Sequence, residues 1–325
     1  MTHQNRYLNL TSAAKESVAC FTVSILIFAI SLYISDAYIG GDQIGYKHAF
    51  ERLKGIGIDQ VIFQFNKNVS SNEFFYIFLV YICTNLGFEK QIIMSLANAS
   101  LTFVMMRWLY SLGINYWLIP IFVLTNYYLY VLYFSAERLK FGILFLVLAL
   151  LVKKKHLYFF ITLICSIFSH FSVVILFCCM FLHQLKNLKQ LILDRKAVLL
   201  VCGAAALLSV ILALNLEYLL WKFNQYFRDS EPFSLSKIIP ILICFSASYI
   251  YSKDKIMTVL IFFPVVTGIL ILDGSRLNMF GYFLFLYFGF QANKGVNIGV
   301  ITSLIYFGYR TVSYVRQITL TGSGF

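Results

Sequence analysis

The sequence predicts an all-α, polytopic membrane protein, about ten to twelve transmembrane helices in one integral domain spanning 1–325. Three observations predict it. Hydrophobic residues make up 60% of the chain and charged residues only 12%, with a mean hydropathy of +0.79. A soluble chain could not hide that much apolar surface in one core, whereas side chains facing lipid have no such need. Apolar runs close to the roughly 20 residues that cross a bilayer recur along almost the whole chain. Finally, the basic residues behind the net charge of +12 sit in short loops between those runs, the positive-inside pattern. That placement points to membrane lipids and an anionic, pyrophosphate-bearing substrate as partners, and away from nucleic acid.

Taken in order, a tail with Arg6 and Lys15 leads into a first span at Val18–Ser35, read as a retained helix with a cytoplasmic N-terminus. Residues 36–72 form the longest polar stretch. Its Lys47, Arg52, Lys54 and Lys67 are balanced by Asp36, Asp42, Glu51 and Asp59, which fits a periplasmic loop. Apolar segments follow at 73–87, 92–110, 116–134 and 138–152, and Lys153-Lys154-Lys155 marks the cytoplasm. Segments 157–170 and 171–183 precede a basic loop; 197–215, 235–250, 256–272, 277–290 and 296–309 complete the set. A second periplasmic loop is expected at 216–234, with Arg228, Asp229 and Glu231.

Counting these segments as crossings produces a conflict. Three crossings after loop 36–72 put Tyr133–Arg138 inside, and the triple lysine would then fall outside. Two arrangements would resolve it: a re-entrant half-helix at 116–126, or one long helix over 127–152 with Arg138 below the surface. Segments 157–170 and 171–183 are each short and suggest a hairpin with His170 near its apex. Interrupted backbone at that depth requires a cavity walled by protein or holding water.

Ionisable residues beside apolar runs are costly and are therefore candidates for function. Gly40-Gly41-Asp42-Gln43-Ile44-Gly45-Tyr46 follows the first span. A carboxylate there could orient or deprotonate a sugar hydroxyl, or the segment is a glycine-rich turn. Glu73 opens the next apolar run, where it could instead meet a helix N-terminal dipole. Arg138 lies in Ser135-Ala136-Glu137-Arg138-Leu139-Lys140; its planar fork suits phosphate oxygens, the alternative being a pair with Glu137. His170, in Phe168-Ser169-His170-Phe171-Ser172, is either a base or a helix–helix hydrogen bond. Arg276 follows Asp273-Gly274-Ser275. No phosphate-binding glycine loop, dinucleotide fingerprint or HExxH pair occurs, and the seven cysteines fall in apolar runs without metal-type spacing. The expected chemistry needs no metal and no cofactor; fixed positive charge would serve a lipid-diphosphate leaving group.

In order and spacing these residues resemble the Wzy O-antigen polymerases, in the branch that groups with EpsG-like exopolysaccharide proteins. That branch carries Asp-x-x-x-Tyr in the first outer loop, an acidic start to an aromatic helix, and an Arg before an apolar run ending in lysines. A His in a Phe-rich helix and a late Arg before an aromatic helix follow. Here those are Asp42 and Tyr46, Glu73, Arg138 before Lys153–Lys155, His170, and Arg276 before Phe280–Phe288. Leu139 stands where a Gln often follows the first Arg, and Phe74 where a Pro commonly follows the acidic residue. The resemblance implies a GT-C-like, metal-independent glycosyltransferase of the bacterial inner membrane, with its active site facing the periplasm. It would polymerise undecaprenyl-diphosphate-linked oligosaccharide, with a flippase and a chain-length regulator as partners. Asp42, Glu73 and His170 would be catalytic, Arg138 and Arg276 would hold the diphosphate, and Tyr46 and Arg228 would contact the glycan. The competing reading is a flippase or transporter for the same lipid-linked unit, which would favour internal repeats and midplane sites; the sequence shows neither.

Overall fold

The computed structural model describes residues 3–69, 73–153, 155–184, 235–271 and 274–324, together with 217, 220 and 224. Among the described residues the regular structure is helical, with no strand. Two compact units emerge: residues 1–173 with 293–325, and residues 174–292.

In the first unit, α1 (His3–Ala37) packs antiparallel on α5 (Lys90–Ser111). Contacts fix the direction. Ser17 meets Arg107, the Phe21 and Phe103 rings touch edge to face, and Ser31 accepts from Asn98. Among the described residues, 13–37 and 90–111 are each long and apolar enough to cross a membrane. After Ser111 the chain turns, and α6 (Leu118–Thr125) and α7 (Tyr127–Phe134) run back beside α1. Tyr116 donates to the Lys15 carbonyl at the start of this stretch, and Ser135 meets Tyr38 at its end. The pair therefore passes from one end of the unit to the other as a single, broken traverse.

The break is built from polar residues. Asn126 is extended, with φ −81° and ψ 117°, and its side chain accepts from the backbone N–H groups of Tyr128 and Leu129. The Thr125 carbonyl that the break releases accepts from Thr311 of α14 (Ile298–Thr321) at 2.7 Å. Every backbone group freed in an apolar setting needs such a partner.

From Ser135 the chain starts α8 (Glu137–Val152), which runs in the same direction as α5: Glu137 meets Lys90, and Lys140 meets Met94 one turn further on. The helix α9 (His156–Ser169) returns along α8 and brings His170 back to the starting end. Gly142 permits that close approach. A Cβ there would lie 2.7 Å from Val173 and 3.3 Å from the His170 Cβ. The Ser166 hydroxyl also donates to the Gly142 carbonyl at 2.6 Å.

The stretch 36–72, expected as a loop, is largely helical: α2 (Gln43–Leu53), a single turn at Ile58–Gln60, and α3 (Val61–Val69). With α4 (Phe74–Asn85) these form a short layer around Tyr46, Phe50, Leu53, Phe65 and Tyr76, which packs on Met94 of α5 and Phe141 of α8. Here one expectation is corrected. Segment 73–87 does not traverse the unit, because Tyr76 in the first turn of α4 and Lys90 at the start of α5 touch the same carboxylate, that of Glu137. A helix of 12 residues is about 18 Å long and cannot cross and return between those two points.

Removing that crossing dissolves the counting conflict without either expected remedy. Residues 116–134 make one traverse rather than a re-entrant half-helix, and 127–152 is interrupted at Ser135-Ala136 rather than continuous. One end of the unit, the site end, holds Asp36–Gln60, Glu73, Lys90, Glu137, Arg138 and His170. The other holds Lys15, Arg107 and Lys294, whose carbonyl accepts from Asn115. The direction of α8 carries Lys153 and Lys155 to that basic end as well. After Lys294, α14 runs to the site end, where the Gly322 carbonyl accepts from the N–H groups of Ile39 and Gly40.

In the second unit, α11 (Leu235–Tyr251) and α12 (Lys255–Ile271) pack on α13 (Gly274–Gln291). From Val174 onward α10 (Val173–Gln184) belongs to it as well, with His183 against Tyr287. The segment expected at 197–215 lies outside the described residues, as do Lys154 and nearly all of 216–234.

This arrangement predicts sidedness. In a background without native cysteines, single cysteines at the exposed positions Asp59 and Thr321 should react with an impermeant thiol reagent from one side of the membrane. Those at Lys153 and Lys294 should react only from the other. Labelling of 294 and 321 from one side would contradict the traverse of α14.

Candidate functional site

The site end is organised by two carboxylates that meet cations side by side. Glu73, at the N-terminal boundary of α4, is only 3% exposed. Its side chain makes no cap to the α4 backbone; one oxygen accepts from the Arg138 guanidinium and the other meets His170 Nδ1. Arg138 Nε donates to the Tyr46 hydroxyl at 2.7 Å, and its guanidinium carbon lies 5.9 Å from the Tyr46 ring centre. Ser172 Oγ is 3.4 Å from His170 Nε2. Tyr46, Glu73, Arg138 and His170 thus form one connected, buried cluster drawn from four separate segments. Burial pushes the Tyr46 phenol above its usual range, against the pull of Arg138, so it stays neutral at ordinary pH.

The second carboxylate is Glu137, also 3% exposed. Lys90 Nζ lies 2.9 Å from its Oε1, and the Tyr76 hydroxyl donates to its Oε2 at 2.9 Å. Lys90 also donates to Gln43 Oε1 at 2.7 Å, and Gln43 Nε2 donates to the Phe134 carbonyl. The alternative partner for Arg138 considered from sequence, Glu137, is therefore corrected: Arg138 pairs with Glu73, and Glu137 pairs with Lys90. Lys140, one turn beyond Glu137, is fully buried with Nζ 3.8 Å from Met94 Sδ.

A cavity of about 690 Å³ opens beside this second pair. Its walls include Gln43, Lys47, His48, Lys54, Thr84, Phe88, Lys90 and Glu137. Asp42 is exposed, and its carbonyl accepts from Tyr46 N–H on the first turn of α2. The side chain of Arg276 and all of Arg228 lie outside the described residues.

The sequence profile of the EpsG family matches residues 19–320, nearly the whole chain. The chain belongs to the EpsG family. Comparison with curated proteins and with solved structures gives no match. Membership in the EpsG family, with the run of apolar helices, makes this a membrane protein associated with glycosyltransferase-like polysaccharide polymerisation.

Sequence reasoning passed over Lys90 and Arg310 and gave Lys140 no role of its own, though each carried a signal. Lys90, Arg138 and Lys140 put cations in the first turn of a helix, where the macrodipole disfavours them and a partner is needed. Arg310 interrupts the middle of the apolar α14 and lies 5.1 Å over the Tyr127 ring.

The buried pair predicts a coupling. Glu73→Gln should lower stability by about 3 kcal/mol or more, because Arg138 keeps its charge without its carboxylate. Removing both charges, in Glu73→Gln with Arg138→Met, should recover part of that loss. The check is thermal melting of the four proteins in detergent; simple additivity would show that the two residues do not interact.

Proposed function

We propose that this EpsG family member is an O-antigen or related polysaccharide polymerase at the periplasmic face of the bacterial inner membrane, built on a GT-C-like plan of about ten to twelve spans. It moves a growing glycan from undecaprenyl diphosphate to the non-reducing end of a lipid-linked repeat unit. The observation that carries this reading is the convergence of Tyr46, Glu73, Arg138 and His170, four residues expected from the family resemblance, in one cluster of a chain matched over residues 19–320.

The chemistry follows from the charges. An acceptor hydroxyl attacks the anomeric carbon of the donor as the bond from that carbon to the diphosphate oxygen breaks. The hydroxyl proton passes to His170 Nε2, while Glu73 at Nδ1 fixes the ring and favours the imidazolium that forms. That new cation competes with Arg138 for Glu73. Arg138 is thereby loosened as negative charge develops on the leaving lipid diphosphate, which its fork suits. Asp42, one turn before Tyr46, is the alternative base. Arg276 is a second diphosphate ligand and Arg228 a glycan contact, from their sequence positions. Fixed cations supply the charge work, so no divalent metal is required. Flippase and chain-length regulator are the expected neighbours.

Arg138→Lys and Arg276→Lys should each cut polymerisation about a hundred- to thousandfold, the usual effect of losing one donor at a developing charge. Cells should then carry single-unit glycan only, at normal protein level. Full-length ladders from a Lys variant would remove that residue from diphosphate binding, and ladders lost in EDTA but restored by Mg²⁺ would contradict metal independence.

A further inference from the structure

We propose that the cavity at the site end binds the acceptor sugar, with Glu137, Lys90 and Gln43 as its polar contacts. The proposal rests on the polymerase reading above and names the residues that would recognise the incoming glycan, none of which belongs to the Glu73–Arg138–His170 cluster.

The charge on the walls selects the ligand. Asp36, Glu51, Glu89 and Glu137 face Lys47, Lys54 and Lys90, so carboxylates outnumber lysines. Such a lining gives a diphosphate no net attraction. A hard cation is no better served, since among the described residues no three His, Cys, Asp or Glu side chains gather closely enough to hold one. An uncharged ring bearing many hydroxyls suits the mixture. Carboxylate oxygens accept from neighbouring hydroxyls, and lysine and amide groups donate to them.

The buried groups are prepared for this. Glu137 is held on both oxygens, by Lys90 and Tyr76, so its direction is set before any ligand arrives. Each oxygen can still accept further hydrogen bonds. Thr84 lines the same cavity, with its hydroxyl oxygen turned away from open space and without a hydrogen-bond partner among the described residues. Tyr38, Phe50, Phe88, Tyr133 and Phe134 add flat apolar surface for the carbon faces of a sugar. The volume, about 690 Å³, is that of an ordinary small-ligand site.

Glu137 and Arg138 are consecutive at the start of α8, so a sugar held at Glu137 occupies a subsite next to the Arg138–Glu73–His170 cluster, and the reacting hydroxyl has to extend from it to reach His170.

The test uses the full chain in nanodiscs and, as probe, the repeat-unit oligosaccharide released from its lipid by mild acid. Polymerisation of the intact lipid-linked unit is measured in parallel. Glu137→Gln keeps the shape and should weaken probe binding at least about tenfold, the loss of a hydrogen bond to a charged group. Glu137 also anchors Lys90, so its change can disturb folding. Phe88→Ala, at the half-exposed rim, supplies an independent variant and should weaken binding several-fold with an unchanged melting temperature. Asp59→Asn, outside the cavity, should bind as the parent does. If the parent polymerises but both cavity variants bind the probe normally, the cavity is not the acceptor site and the polymerase reading stands. If inorganic pyrophosphate binds instead and Lys90→Gln abolishes it, the cavity holds the donor and the proposal is overturned. A parent that neither polymerises nor binds the probe removes both readings.

Discussion

The site end depends on one carboxylate. Glu73 is the point at which α4, α8 and the break after α9 are tied together, through Arg138 and His170. A guanidinium buried at the start of an apolar helix, near the positive end of that helix, is unfavourable by desolvation and by the macrodipole. Glu73 compensates both. It can do so only if α4 begins beside α8, and that requirement folds 36–85 into a layer at one end instead of sending 73–87 across. The topology of the first unit therefore follows from where one charge must be neutralised.

The same logic accounts for the interruptions. The chain breaks at Asn126, at Ser135-Ala136 and at His170, and each break carries the polar groups that repair it. Asn126 caps α7, Thr311 takes the released Thr125 carbonyl, Ser135 meets Tyr38 and Tyr314, and the His170 N–H donates to the Ser166 carbonyl. Short helices with internally satisfied ends let side chains from several segments meet at one depth. Unbroken helices would carry Arg138 and His170 past Glu73.

Much of this was legible in the sequence, and the failures have physical causes. Apolar runs gave α4, α5 and α8 to α13 to within a few residues, because hydropathy reports burial in lipid or protein alike; they missed α2, α3 and the polar extensions of α1 and α14. For the same reason it misread 73–87: α4 is as apolar as a spanning helix, but it buries Tyr76, Ile77 and Val80 against α2, α3 and neighbouring helices. Charge placement was the better guide, since the triple lysine and the balanced stretch 36–72 already disagreed with the crossing count. Order and residue type singled out Tyr46, Glu73, Arg138 and His170, which the structure brings into one cluster. Their pairing was not legible that way. Glu137 is adjacent to Arg138 in sequence, and adjacency suggested a pair, yet neighbours on a helix point about 100° apart and do not face each other.

That 100° separation has a consequence for how the two carboxylates divide their work. At the head of α8, Glu137 is turned toward Lys90 and the cavity, while Arg138 is turned toward Glu73, Tyr46 and His170. The two pairs are neighbours but have separate partners: Tyr76 serves Glu137 and Tyr46 serves Arg138, with the two rings in edge-to-face contact at 6.1 Å. A ligand exchanging hydrogen bonds on the Glu137 side need not disturb the Glu73 pair directly. It would act on it through the packing of Tyr46 against Tyr76 and through the shared first turn of α8. Close-packed aromatic contacts transmit small displacements because no void absorbs them. The arrangement thus keeps the Glu73 cluster buried while its immediate neighbour, Glu137, borders the cavity.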